Sequence, residues 1–263
     1  MASVVDIPWV TLTLFLSTLL IPIMISRQLQ LRIEKELFVS IGRMFVQLFL
    51  VGLYLEYLFQ INSLAINLAW LLVMLLIGAS AIVSKTNLPK KMLLLPTALG
   101  LLVGLLPILA LICLAVIRPT PIYNAQYLIP LAGMLLGNSL SGNIVALQNL
   151  FSSFEQRKAE YEGAIALGAS PRFASLPFVR EAIKKSLAPS LASMSTMGIV
   201  TLPGMMTGQI LGGASPMIAI KYQLMIMVAI FVVLSISTTA TLSLAVRICI
   251  NNNGRILAKP HNN

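Results

Sequence analysis

Apolar residues along this chain come in blocks of about 20, and the polar residues gather between the blocks rather than alternating within them. A helix of that length spans a bilayer hydrocarbon core of about 30 Å. Lipid cannot satisfy an open backbone, and the two-residue period of a strand is missing, so helices are the only spanning structure available. The pattern predicts an all-α membrane protein forming a single transmembrane domain over residues 1–263. Its seven spans are expected at 8–26, 37–59, 64–84, 92–117, 127–150, 186–211 and 222–246. Trp9 stands where an interfacial anchor belongs, Pro96 and Pro107 predict a kink in the fourth span, and Pro203-Gly204 weakens the sixth.

One polar interval is longer than the rest. Residues 151–185 separate the fifth and sixth spans, and within them Glu155–Arg172 reads EQRKAEYEGAIALGASPR. This predicts a short amphipathic helix placing Glu162, Ile165 and Ala166 on neighbouring positions, then a turn at Gly168-Ala169-Ser170. Pro171 is expected to keep the helix from resuming. With no catalytic cluster in it, the segment reads as a docking surface.

Charge then orients the chain. Arg27, Arg32 and Lys35 follow the first span, Lys85, Lys90 and Lys91 the third, Arg157 to Lys185 the fifth, and Arg247, Arg255 and Lys259 the seventh. The intervening loops are nearly free of lysine and arginine. Basic loops stay cytoplasmic, so the N-terminus is expected outside, the C-terminus inside, and the 151–185 segment in the cytoplasm. The net charge of +10 is thereby assigned to membrane topology and not to nucleic acid.

Composition agrees with this class. The chain is 58% hydrophobic and only 10% charged, with a mean hydropathy of +0.92. Soluble domains carry about 25% charged residues. Cys113 and Cys249 have no metal or disulfide spacing. The first ten residues lack the basic start and cleavage site of a removable signal peptide.

Candidate chemistry is sparse. The single histidine, His261, lies within the last three residues, and the single aspartate is Asp6, so intramembrane hydrolysis lacks its side chains. No G-x-x-x-x-G-K-[ST] motif occurs, so the chain does not bind ATP by a P-loop. Catalysis by the chain itself is not expected. Arg43, Gln47 and Glu56 fall in the second span, where charge costs about 2.5–3.5 kcal/mol on insertion scales. Arg43 and Glu56 stand about 20 Å apart on an ideal helix and cannot pair. Arg43 can also snorkel to the cytoplasmic interface, and Glu56 can be a rim residue. The fifth and sixth spans mix glycine with polar groups. A translocation path or a dimer seam is expected there, carried by Asn138, Asn143, Met205, Met206 and Gln209 with the second-span residues. Gly100/Gly104, Gly133/Gly137 and Gly204/Gly208 each place two small residues on one helix face for close packing. The 13 methionines assign no metal, because methionine commonly fills gaps in cores.

Glu162 stands six residues before Gly168-Ala169, a spacing that resembles the cytoplasmic coupling loop of ABC-transporter permeases. Here the chain continues PRFASLPFVREAIKK in place of the importer Ile-x-Leu-Pro. IPLAGMLLGNSLSG, ALGASPRFAS, SIGRMFVQLFLVG and GIVTLPGMMTGQILGGASPMIAIKYQ together resemble the Fet-type iron-export permeases of bacteria and their plant aluminium-tolerance relatives. The resemblance implies a permease homodimer in the bacterial inner membrane, working with a separate ATPase that binds ATP and Mg. It also implies coupling through Glu162, Gly168, Ala169, Pro171 and Arg172, and iron as cargo, with aluminium or a nucleotide sugar as alternatives. The residues alone leave two rivals: a stand-alone secondary transporter using Glu56, and a non-transporting assembly subunit.

Overall fold

The computed structural model describes residues 6–251 and 253–258, so Lys259 and His261 lie outside the described residues. It is helical throughout, apart from isolated bridges. Six stretches are long and apolar enough to cross a membrane: Trp9–Gln28, Glu34–Ile61, Leu64–Lys85, Lys90–Ile117, Ala125–Gln156 and Pro216–Cys249. The elements in order are α1 (Trp9–Leu16), α2 (Leu20–Gln28), α3 (Glu34–Ile61), α4 (Leu64–Lys85), α5 (Lys90–Leu111), α6 (Ala125–Gln156), α7 (Lys158–Ala166), α8 (Pro171–Thr196), α9 (Gly204–Leu211) and α10 (Pro216–Cys249). A 3₁₀ turn joins α1 to α2, and α5 widens into a π-helical stretch at Ile112–Ile117 before the left-handed Arg118.

The expected sixth span is not one helix. α8 ends at Thr196, and residues 197–203 are irregular before α9 begins. Gly198 takes φ +84, its amide donates to the Thr201 carbonyl at 2.9 Å, and Pro203 has no amide to give. Pro171 also differs from expectation. It opens α8 at the first helical position, where a missing N–H costs nothing, and Ser170 Oγ accepts from the Phe173 amide at 3.4 Å. Ser215-Pro216 starts α10 by the same device.

The core is the packing of α10 on α5, with α4, α6 and α8 around it. Gly100 and Gly104 make this possible. A Cβ at Gly104 would lie 2.9 Å from the Val233 carbonyl oxygen, and one at Gly100 would overlap Thr241 Oγ1. Lipid is as apolar as leucine, so close backbone approach, not the hydrophobic effect, holds these helices together. The helices are also pinned end to end. At one end Asn62 Oδ1 accepts from the Ala125 amide at 3.0 Å and Asn67 Nδ2 donates to the Tyr123 carbonyl at 2.7 Å. At the other end Gln148 Nε2 donates to the Lys85 carbonyl at 3.2 Å.

α1 to α3 stand apart from this core. Of α3 only Leu58 is fully buried, beside the Tyr54–Trp70 ring pair at 4.3 Å, with Tyr54, Leu55 and Phe59 packed around it, and most of the helix is exposed.

Candidate functional site

α6, α8 and α10 line a cleft of ≈ 240 Å³ that opens to the surface, where Asn138, Ser141 and Ser193 are exposed. The α6 wall carries Asn138 and Ser141, the α8 wall Ser186, Ser190 and Ser193, and α10 adds Met227. Spacings of four and three put the α8 serines on one helical face. Behind the cleft, Asn143 is fully buried, and its Nδ2 donates to Ser237 Oγ at 3.0 Å and to the Ser139 carbonyl at 2.9 Å. Asn143 Oδ1, Thr97 Oγ1 and Thr241 Oγ1 are buried with no partner among the described residues. A seam of unsatisfied oxygens thus runs through the membrane-spanning core, where such groups are costly.

Of the residues expected along a path, Asn138 lines the cleft and Asn143 lies behind it. Met205, Met206 and Gln209 sit on α9, outside the cleft lining, although Gln209 Oε1 is itself buried without a partner. Arg43, Gln47 and Glu56 are exposed on α3 and are not brought to the cleft. Within this chain a Cβ at Gly137, Gly204 or Gly208 would meet nothing within 4 Å, and one at Gly133 would only touch Met74 at 3.4 Å. The close approaches are those of Gly100, Gly104 and Gly142, the last against Leu234. The serine face of α8 was missed in the sequence, though its spacing was readable.

The second place is the elbow joining α6, α7 and α8. Arg157, at φ −115 and ψ 35, breaks the helix between α6 and α7. Its guanidinium pairs with Glu160 at 2.6 Å and Glu181 at 3.0 Å, and lies 4.9 Å from the Phe178 ring centroid. Beneath it Phe154, Tyr161 and Phe178 pack ring on ring at 4.9 to 6.2 Å. Such pairs contribute about 0.5–1.5 kcal/mol each beyond their burial. The hydrogen bonds that Arg157 donates to Glu160 are the main cause that raises the Arg157 pKa, with the Glu160 and Glu181 charges adding to it. Lys185, 2.8 Å away, is the main cause that lowers Glu181. Burial pushes the Tyr161 hydroxyl up.

Glu162 is exposed at this elbow and faces Lys158 at 3.5 Å. Gly168 makes the turn at φ +93, Ala169 packs against the core, and Arg172 is exposed on the first turn of α8. Leu167 at the tip is 91% exposed. A cavity of ≈ 760 Å³ lies between α7 and the C-terminal segment, lined by Glu155, Tyr161, Glu162, Ile165, Gly254 and Arg255 among others. Among the described residues no three histidine, cysteine, aspartate or glutamate side chains gather to hold a metal.

Residues 9–250 match a family described as Uncharacterised protein family (UPF0014). The chain belongs to this family. As a UPF0014 member it is 36% identical over 213 residues to Protein ALUMINUM SENSITIVE 3 of Arabidopsis thaliana, covering 81% of this chain and 76% of that one. It is 32% identical over 255 residues to UPF0014 membrane protein slr1647 of Synechocystis, covering 97% and 98%. It is 31% identical over 216 residues to the Probable iron export permease protein FetB of Escherichia coli, covering 82% of each. No solved structure matches the chain. With six span-length apolar helices, this UPF0014 chain is an integral membrane protein.

Proposed function

We propose that the chain is the membrane-spanning permease subunit of an ABC transporter that exports iron, two copies working with two separate ATPase subunits. The observation that carries this reading is the elbow. A short helix, α7, ends in a fully presented Leu167 and a left-handed glycine turn, and is braced underneath by aromatic rings and the Arg157 ion pairs. That is a rigid knob on the basic end of the bundle. Lacking a P-loop, the chain depends on a partner to bring ATP and Mg, and the knob is where that partner seats. Glu162, Gly168, Ala169, Pro171 and Arg172 form or flank its surface.

The permease name of the Escherichia coli relative supports the iron-export reading. The pairing of copies is supported by residues 197–203, where Ile199 is 89% exposed. Irregular backbone at membrane depth survives only when protein covers it or it lines a water-filled cavity. A second copy covers it, and Gly204 and Gly208 leave room for close approach. Cargo passes by the serine-lined cleft between α6, α8 and α10, whose oxygen ligands suit a hard cation.

The test is ATP-dependent uptake of ferrous iron by inside-out vesicles holding the chain and the ATPase that co-purifies with it. Uptake that stops on replacing Glu162 or Gly168, with the subunit still in the membrane, supports the reading. Equal uptake without ATP would replace it with a gradient-driven transporter.

A further inference from the structure

The three helices that wall the cleft are all tied to α7, but by different means. α6 continues into α7 at Arg157, and α8 follows it after one turn and holds Arg157 through Glu181. α10 is remote from α7 in sequence and reaches it through the segment that follows its last residue. After Cys249 the chain doubles back. Ile250 and Ile256 pair antiparallel, the Leu257 amide donates to the Cys249 carbonyl at 2.7 Å, and the Arg255 amide donates to Asn251 Oδ1 at 2.7 Å. This hairpin lies on α7. Gly254, buried at φ +78, sits where a Cβ would be 3.3 Å from the Ile165 side chain, a left-handed and tight position that favours glycine. Ala258 is 2% exposed and joins the same buried cluster as Tyr161 and Phe154.

We propose that the C-terminal hairpin, formed by Ile250, Asn251 and residues 253–258, is a positioning element that carries the movement of α7 to α10 and hence to the third wall of the cleft. The proposal rests on the permease reading above. Contact runs through Gly254 against Ile165 and through Ala258 in the buried cluster that holds Tyr161, with a cavity of ≈ 760 Å³ beside them. The hairpin therefore ties the end of α10 to α7, and added bulk at Gly254 bears directly on that tie. α10 transmits what it receives, because Gly100 and Gly104 lock it to α5 along the same helix that presents Met227 to the cleft.

The experiment uses the full complex with its co-purifying ATPase, and reads ferrous iron moved per ATP hydrolysed. Gly254→Asn tolerates the left-handed backbone but adds bulk against Ile165. It is expected to lower the ratio about fivefold or more, the lower end of usual coupling between sites, with normal amounts of complex. Adding Ile165→Ala to Gly254→Asn makes room again and is expected to restore the ratio, which a general folding defect would not allow. A chain ending at Ile250 is expected to assemble and to hydrolyse ATP with the same loss of coupling. If that chain does not accumulate, the Gly254/Ile165 pair decides alone. A wild-type ratio in Gly254→Asn, or a loss that Ile165→Ala leaves untouched, overturns the proposal. Absence of ATP-dependent iron uptake in the wild type would instead overturn the permease reading.

Discussion

The Arg157 guanidinium meets the Glu181 carboxylate at 3.0 Å, joining the residue before α7 to the face of α8 that also carries Phe178. Both side chains keep about two-fifths of their exposure, at 40% and 38%. At that exposure a pair adds little to stability, because solvent screens it. Its value is geometric, since it sets the angle between α7 and α8. Glu181→Gln is therefore expected to leave the unfolding temperature of the purified subunit nearly unchanged while lowering ATP-driven flux. The charge swap Arg157→Glu with Glu181→Arg should recover part of that flux. A swap no better than either single change would show that the pair does not set the angle.

The same carboxylate gives a pH signature. Lys185 first, and Arg157 after it, hold the Glu181 pKa below its ordinary value of 4.5. A depressed carboxylate contributes stability that is present above the unfolded pKa and is lost as pH falls through the folded one. Thermal unfolding should thus show no Glu181-dependent change across neutral pH, and a loss only below 4.5. In Glu181→Gln that acid limb should be shallower than in the wild type.

Helix packing gives a sharper contrast. Gly104 faces the Val233 carbonyl and Gly100 faces Thr241, and neither neighbour is the far end of a flexible side chain. Gly104→Val is expected to destabilise by about 1–3 kcal/mol or to prevent accumulation, because overpacking there moves backbone. Gly204→Ala and Gly208→Ala meet nothing within 4 Å in this chain and should leave its unfolding unchanged. Any effect of theirs should appear in the cross-linked dimer yield. Equal destabilisation by all of these changes would contradict the packing described.

Much of this arrangement was readable along the chain, because bilayer thickness alone dictates the length of an apolar run. The Leu64–Lys85 helix falls within a residue of its expectation for that reason. What was not readable depends on partners distant in sequence. The three glycine pairs look alike locally, and only the facing helix makes Gly100 and Gly104 the close contacts. Pro203-Gly204 signalled a weak point in the sixth span, but the extent of the break, back to Thr196, hides inside an apolar run because Gly198 occurs in ordinary membrane helices too. The hairpin after Cys249 has too few residues to signal itself, and its anchor, Ile165, lies far back in the chain. Of the cleft, Asn138 was visible as a polar residue among glycines, whereas the α8 serines sit where the sequence also shows lysines and prolines.

Asn143 tests how costly the buried seam is. Its amide makes two hydrogen bonds, yet its Oδ1 has no partner among the described residues. Interhelical hydrogen bonds in membranes average about 0.6 kcal/mol. Losing that bond to Ser237 is offset by removing an orphaned oxygen. Asn143→Leu is therefore expected to change stability by less than about 1 kcal/mol while reducing flux, if water or cargo uses the oxygen. Unfolding in mixed micelles and vesicle uptake measure the two effects separately. A large destabilisation would show that the amide is structural.

The cleft itself is tested by filling it. Ser190 stands on its α8 wall between Ser186 and Ser193, facing Asn138 and Ser141 across a space of ≈ 240 Å³. An indole narrows this space and brings no oxygen to replace the hydroxyl. Ser190→Trp is expected to lower ATP-driven ferrous iron uptake by about tenfold or more, equivalent to about 1.4 kcal/mol in the rate-limiting step. ATPase association should persist, since the elbow lies at the far end of α8. Ser190→Thr keeps the oxygen with little added bulk and should retain most of the uptake, which separates blockage from loss of a ligand. Full uptake in Ser190→Trp would move the path out of this cleft, and α9 with Gln209 would become the next place to probe.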